Sequence, residues 1–212
     1  MNKAQLIEML ELQCGINAQV HLNWPEQKFP WHLAIITEAS EGIEHLSFKW
    51  WKKSVINLEQ AQLELVDVWH FGMSLLLQEI GNIEGVASFI TMERDLYVEK
   101  ENVDPINAFT DIIATASVGS AFSMVQFCAA LESLNMNWSD LYLWYIGKNV
   151  LNLFRQQNGY KTGEYKKIWH GREDNEFLAG ILVKETVSAG LYDRVYQQLD
   201  FIYHPTKCEK SH

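Results

Sequence analysis

The sequence predicts an all-α protein, and three observations carry that expectation. Only four prolines fall in 212 residues, apolar residues recur at three- and four-residue spacing over long stretches, and no alternating run is bounded by hairpin-turn residues. Apolar residues make up 48% of the chain, ample for a packed core in one large domain or two small ones. We expect one multi-helix domain over 1–203, with allowance for a rigid and a mobile helical group, and a polar tail over 204–212.

Capping chemistry sets the helix boundaries. Asn57 ahead of Gln60, Asp104 ahead of Pro105, Asn137 ahead of Asp140 and Asp174 ahead of Glu176 are start signals, because a short polar side chain accepts from the orphan N–H groups of a first turn. Gly81 and Asn158-Gly159 are stop signals. The helices expected are 3–17, 31–49, 57–80, 105–117, 120–134, 138–157, 174–183 and 188–203.

In 3–17, Leu6, Met9 and Leu10 set an inward face that continues to Gln13 and Asn17. An inward amide must be hydrogen-bonded, to the protein itself or to a ligand, and the residues alone leave both open. In 31–49, Glu38 and Glu41 are three apart, and Glu38 falls among Ile35, Ala39, Gly42 and Leu46 on the side expected to be buried. Glu44 lies opposite, as a solvated charge. In 57–80, Glu64 and Asp67 repeat the spacing and share a face with Val68, Phe71 and Leu75. Four inward carboxylates repel one another and lose hydration unless cations neutralise them or they take up protons. Oxygen donors in this number suit Mg²⁺ or Mn²⁺, and the absence of a Cys/His cluster disfavours zinc. One E-x-x-E is common on exposed helices; two such pairs on consecutive helices point to a metal site.

Between them lies Phe48-Lys49-Trp50-Trp51-Lys52-Lys53, aromatics interleaved with lysines, which suits either core packing or stacking on a nucleobase. Ile112 to Leu131 holds no charge over 20 residues, but its five Ser, Thr and Gln side chains and the Val118-Gly119-Ser120 break read as buried helix rather than a membrane span. From Lys148 to Arg172 six basic residues face the single acid Glu164. Lys148, Asn152 and Arg155 form a stripe of donors, and the Asn158-Gly159-Tyr160-Lys161 turn can add more. This island suits an anion, or else a solvated helix face; with a divalent-metal site elsewhere it describes a polyphosphate site.

Lys+Arg 17 against Asp+Glu 27 gives a net charge of −10, which opposes a nucleic-acid backbone. Cys14, Cys128 and Cys208 are odd in number, widely spaced and outside any CxxC, so neither a disulfide framework nor a zinc knuckle is expected, and a reducing cytoplasm fits. Glu8 and Glu11 interrupt the apolar run that a secretory signal would need.

Taken together, Gln13 and Asn17, Glu38-x-x-Glu41, Lys49-Trp50-Trp51-Lys52, Glu64-Leu-Val-Asp67-Val-Trp-His70-Phe71 and the run from Tyr145 through Lys148, Asn152, Arg155, Asn158 and Tyr160 to Lys161 resemble the dimeric all-α dUTPases of kinetoplastids, some bacteria and phages. The resemblance runs from about residue 6 to 182, and the long motif continues to Tyr165-Lys166-Lys167 and Arg172-Glu-Asp174-Asn175. The acidic pairs alone would fit any member of the wider MazG-like pyrophosphatase superfamily. Phe48 stands where some relatives carry Trp, and 83–103 and 184–212 match no motif.

The resemblance implies a helical bundle of the all-α NTP pyrophosphatase type with a metal site between two central helices. It implies hydrolysis of dUTP, and of dUDP, to dUMP with two or three Mg²⁺ ions, Mn²⁺ being an alternative. Metal ligands are then Glu38, Glu41, Glu64 and Asp67, with Glu41 accepting the proton of the attacking water. Phosphate donors are Lys148, Asn152, Arg155, Asn158, Tyr160, Lys161 and Lys167; base or sugar contacts are Gln13, Asn17, Trp50, Trp51, His70, Phe71 and Asn175. The uncharged segment Ile112 to Leu131 and the family's habit imply a homodimer, with no nucleic-acid or membrane partner. The competing expectations are a MazG-like pyrophosphatase acting on dCTP or several nucleotides, and a helical structural protein that binds an ion without turnover.

Overall fold

The computed structural model describes residues 1–99 and 102–204. All of the expected polar tail except His204, and with it Cys208, lies outside the described residues. The helices are α1 (Lys3–Val20), α2 (Trp31–Glu44), α3 (Leu58–Ile80), α4 (Ile83–Leu96), α5 (Pro105–Gly119), α6 (Met124–Ser133), α7 (Trp138–Gln157), α8 (Asp174–Leu182) and α9 (Leu191–Tyr203). The all-α expectation holds. Among the described residues no helix is long and apolar enough to cross a membrane. The chain divides into two compact units, Met1–Tyr142 and Leu143–His212.

Three of the four expected start caps form. Asn57 Oδ1 accepts from Gln60 N at 3.3 Å, Asp104 Oδ1 from Asn107 N at 2.9 Å, and Asn137 Oδ1 from Asp140 N at 3.0 Å. Gly81 ends α3 with φ +82°, a left-handed position that glycine takes without a Cβ clash.

Two expected helix boundaries are corrected, and two further elements appear. Helix 31–49 stops at Glu44, because Ser47 turns left-handed at φ +59° and Asn57 N reaches back to His45 O at 2.9 Å. The helix expected from 120 starts at Met124: Ser120 is left-handed, and Ser123 Oγ takes the Gln126 N–H. α4 was not anticipated; Asn82 Oδ1 caps it by accepting from Gly85 N at 2.7 Å, and Val86, Ala87 and Ile90 are its buried stripe. A two-residue hairpin also forms, Ile168–Trp169 (β1) antiparallel to Arg172–Glu173 (β2), with Trp169 opposite Arg172. Its turn residues, His170 and Gly171, both have positive φ, the geometry of a tight hairpin.

In the first unit α3 is the axis. Leu63, Leu65, Val66, Val68, Trp69 and Met73 are all fully buried, each contributing roughly 1.5–3 kcal/mol of apolar burial. α2 packs along α3 and against α5, α1 packs on α3 and α4, and α6 meets α4 and α5. The Trp69 ring stacks on Phe127 at 4.7 Å, meets Phe122 at a tilt and meets Trp138 edge-on. Ile112 to Leu131 is not uniformly buried: Val118 is 92% exposed, because it sits where α5 ends.

In the second unit the fully buried Phe154 ring is met edge-on by Tyr165, Trp169, Tyr196 and Tyr203. Leu191, Val195 and Leu199 form the buried stripe of α9, which packs on α8.

Two packing contacts in the first unit depend on a missing side chain. A Cβ on Gly42 would lie 2.5 Å from the Phe109 ring, and one on Gly72 would lie 2.7 Å from the Phe122 ring. Gly42→Ala and Gly72→Ala should each lower stability by about 1–3 kcal/mol through overpacking. Gly180→Ala, with nothing within 4 Å of its Cβ, should be neutral or stabilising by up to about 1 kcal/mol. Urea midpoints of the three variants check the contrast.

Candidate functional site

In the first unit α2 and α3 bring three acids together. Glu38 and Glu41 from α2 and Glu64 from α3 each place a carboxylate oxygen within 4.8 Å of the others. Like charges at that spacing repel by about 1 kcal/mol per pair in water and about 3–4 kcal/mol at an effective dielectric of 20. Such a group holds together only with compensating cations, donors or protons. The burial is uneven: Glu64 is 5% exposed and Glu38 half-buried, whereas Glu41 is exposed, contrary to the expected inward pair. Asp67, one turn after Glu64, is half-buried and is not one of the three. His45 Nε2 stands 3.6 Å from Glu64 Oε1, a neighbour the sequence did not suggest. Glu44, the expected solvated charge, pairs with Lys49.

A second polar group lies on the inward faces of α1 and α3. Gln13, Asn17 and His70 are at most 5% exposed and Ser74 is fully buried. Gln13 Nε2 donates to Asn17 Oδ1 and to Ser74 Oγ, both at 3.0 Å. Asn17 Nδ2 donates to the same Ser74 Oγ at 3.0 Å, and Ser74 Oγ donates to His70 O at 2.9 Å. His70 Nδ1 lies 2.7 Å from Gln13 Oε1. The inward amides of helix one are therefore bonded to one another and to α3. Ser74 was missed, although its place four residues after His70 on the inward face of α3 was a readable signal.

The aromatic candidates divide. Phe71 is half-buried and stacks on Trp31 at 6.2 Å, part of a cluster that includes Trp24 and Phe29. Trp50 and Trp51 are 90% and 60% exposed, on the segment that joins α2 to α3, and pack edge-on against each other. Their core reading is thereby corrected; their rings are available to a ligand.

In the second unit the basic stripe surrounds a buried acid. Asp174 is fully buried, and Arg155 clamps it with two bonds, Nε to Oδ2 at 2.8 Å and Nη2 to Oδ1 at 2.9 Å. Tyr165 donates its hydroxyl to Oδ2 at 2.7 Å, and Asn175 N donates to Oδ1 at 2.8 Å. Asp174 is not the cap expected of it but the first residue of α8, turned inward to this pair. Lys148 Nζ and Arg155 Nη2 both donate to Asn175 Oδ1, at 3.2 and 3.3 Å, and Arg155 Nη1 reaches Asn152 Oδ1 at 3.3 Å. The structure thus brings Lys148, Asn152, Arg155 and Asn175 together. Asn158 instead donates to Phe154 O and faces His204 through Oδ1, while Lys167 pairs with Glu173 at 3.3 Å. Tyr160 and Lys161 are exposed on the turn after α7.

A family model described as dUTPase matches residues 5–160, which include both acidic helices, the amide network and α7. The chain belongs to the dUTPase family. Its helical architecture agrees with the all-α dUTPases, and membership supports dUTP nucleotidohydrolysis as its activity in general. No curated protein matches the chain. Lys161, Lys167, Asp174 and Asn175 lie beyond the part matched to the dUTPase model.

Burial pushes the Asp174 carboxyl up, but the Arg155 bonds and charge, with the Tyr165 hydroxyl and the Asn175 N–H, outweigh it and hold the group below its ordinary value of 3.8. A carboxyl depressed on folding adds stability that is fully present above 3.8 and lost as pH falls through the lower folded value. Asp174→Asn leaves the Arg155 charge without its partner and should cost about 3–5 kcal/mol at pH 7. The gap between variant and parent should narrow as both are unfolded at pH values descending below 3.8, measured by chemical denaturation.

Proposed function

We propose that this protein hydrolyses dUTP, and also dUDP, to dUMP, releasing pyrophosphate or phosphate, in a Mg²⁺-dependent reaction. The observation that carries the reading is the convergence of Glu38, Glu41 and Glu64 from two adjacent helices. An all-carboxylate donor set fits a hard divalent ion, Mg²⁺ or Mn²⁺, and gives no thiolate or imidazole cluster for zinc. Glu38, Glu41, Glu64 and Asp67 would hold two or three such ions. Bound there, the metal supplies a water of lowered pKa and neutralises phosphate oxygens.

The chain's own groups do the rest. Glu41, the exposed member of the trio, takes the proton of the attacking water. Lys148, Asn152, Arg155, Asn158, Tyr160, Lys161 and Lys167 are assigned to the phosphates, where positive charge and N–H donors stabilise charge on the leaving group. Arg155 enters with its guanidinium already oriented by Asp174, which lowers the ordering cost of binding. Gln13, Asn17, His70, Phe71 and Asn175 are assigned to the base and sugar, with Trp50 or Trp51 as stacking surface.

Purified protein with Mg²⁺ and a panel of dUTP, dUDP, dCTP, dTTP, dATP and UTP should give dUMP almost alone. Several monophosphates would instead indicate a generalist pyrophosphatase, and no product an ion-binding structural protein. Glu41→Gln should lower kcat about 10²- to 10⁴-fold with little change in KM.

We further assign a second copy of the chain to the α5–α6 region, where Val118 and Val125 are 92% and 43% exposed in a segment without charge. The expected assembly is a homodimer of about 49 kDa, twice 24.5 kDa. Since Val118 is exposed in the single chain, Val118→Arg should split the dimer while leaving the helical signal intact. Light scattering alongside circular dichroism checks both halves of that statement. A cytoplasmic setting fits the free thiols of Cys14 and Cys128.

A further inference from the structure

The hydrogen-bond network of α1 and α3 has a property that bears on base selection. An amide side chain has nearly the same shape when turned over, but its donor and acceptor change places. Uracil presents the O4 acceptor beside the N3–H donor; cytosine presents the N4 amino donor beside the N3 acceptor. An amide free to turn over therefore suits either base, and discrimination needs an amide held in one sense.

The bonds around Gln13 and Asn17 supply that hold. Both N–H groups of Gln13 are committed, one to Asn17 Oδ1 and one to Ser74 Oγ. Because Gln13 Oε1 can only accept, His70 Nδ1 carries the proton of their 2.7 Å contact. Asn17 gives one N–H to Ser74 and one lone pair to Gln13, which leaves it one donor and one acceptor for a base.

Inverting the whole chain of bonds nearly works. Gln13 Oε1 would accept from Asn17 Nδ2, and Gln13 Nε2 would donate to His70 Nδ1 in the other tautomer. Ser74 opposes it. Its hydroxyl has one proton, placed on His70 O at 2.9 Å, and in the inverted network it would face two amide oxygens; turned away from His70 O it could serve one of them and would leave the other without a donor. In the observed sense the same hydroxyl is fully used, donating once and accepting twice.

We propose that Ser74 is the positioning residue for base selectivity: it fixes the sense of the Gln13 and Asn17 amides, and through Gln13 the tautomer of His70. The proposal rests on the assignment of Gln13 and Asn17 to the base; Ser74 acts through them.

Two readouts test it. In ligand-free protein at a pH where His70 is neutral, ring ¹⁵N shifts should show the Nδ1–H tautomer in the parent and a mixture of tautomers in Ser74→Ala. The ratio of kcat/KM for dUTP over dCTP should fall about 10- to 100-fold in Ser74→Ala, chiefly through a gain with dCTP. Ser74→Thr, which keeps the hydroxyl, should retain the parent tautomer and ratio. If Ser74→Ala does not fold, Ser74→Cys, of similar size but a weak hydrogen-bonder, is read the same way. An unchanged tautomer in a folded variant overturns the proposal, and so does an altered tautomer with an unchanged ratio. A parent protein that turns over no dUTP overturns the functional reading instead; the tautomer measurement, made without nucleotide, is unaffected by that failure and still reports whether Ser74 sets the network.

Discussion

Burying a polar side chain without a partner costs about 1–3 kcal/mol, more for a charge, and α3 is a helix buried along most of its length that carries Glu64, His70 and Ser74 inside. The neighbouring helices of the first unit answer part of that cost. α1 turns Gln13 and Asn17 toward His70 and Ser74, and α2 ends with His45 near Glu64. The apolar residues of α3 hold the helices together, while its polar residues determine what the neighbouring faces must carry.

The second unit meets the same constraint with a charged pair. Burial raises the Asp174 carboxyl; two Arg155 bonds, one from Tyr165 and one from the Asn175 backbone outweigh that and hold it below its ordinary value. That pairing changes the meaning of the basic stripe. Arg155 is a guanidinium fixed in direction rather than a loose surface cation, and Asn175 joins it to Lys148. A bidentate pair of this kind orients a donor at little further loss of side-chain freedom when a ligand arrives.

This family member places polar groups where apolar ones would give more stability. The acidic trio joins a buried carboxylate to an exposed one, so that one end is screened from water and the other is open to it. The exposed tryptophans at 50 and 51 and the exposed Val118 are apolar surface that a single chain leaves uncovered.

Much of this was written in the sequence as periodicity and capping. The heptad-like spacing of Leu6, Met9, Leu10, Gln13 and Asn17 fixed which face of α1 is inward, and Asn57, Asp104 and Asn137 fixed where helices begin, because both depend on near neighbours in the chain. The E-x-x-E and E-x-x-D spacings showed that α2 and α3 each carry acids on one side. The tertiary structure alone decided which of them meet: Glu41 converges with Glu38 and Glu64 while staying exposed, since convergence depends on how α2 lies along α3. The same holds for partners 57 to 61 residues apart in the chain, Ser74 with Asn17 and Gln13, and for Asp174 with Arg155 19 residues away. No local signal encodes such pairs, because a hydrogen bond across two helices is set by their packing and not by the spacing within either one.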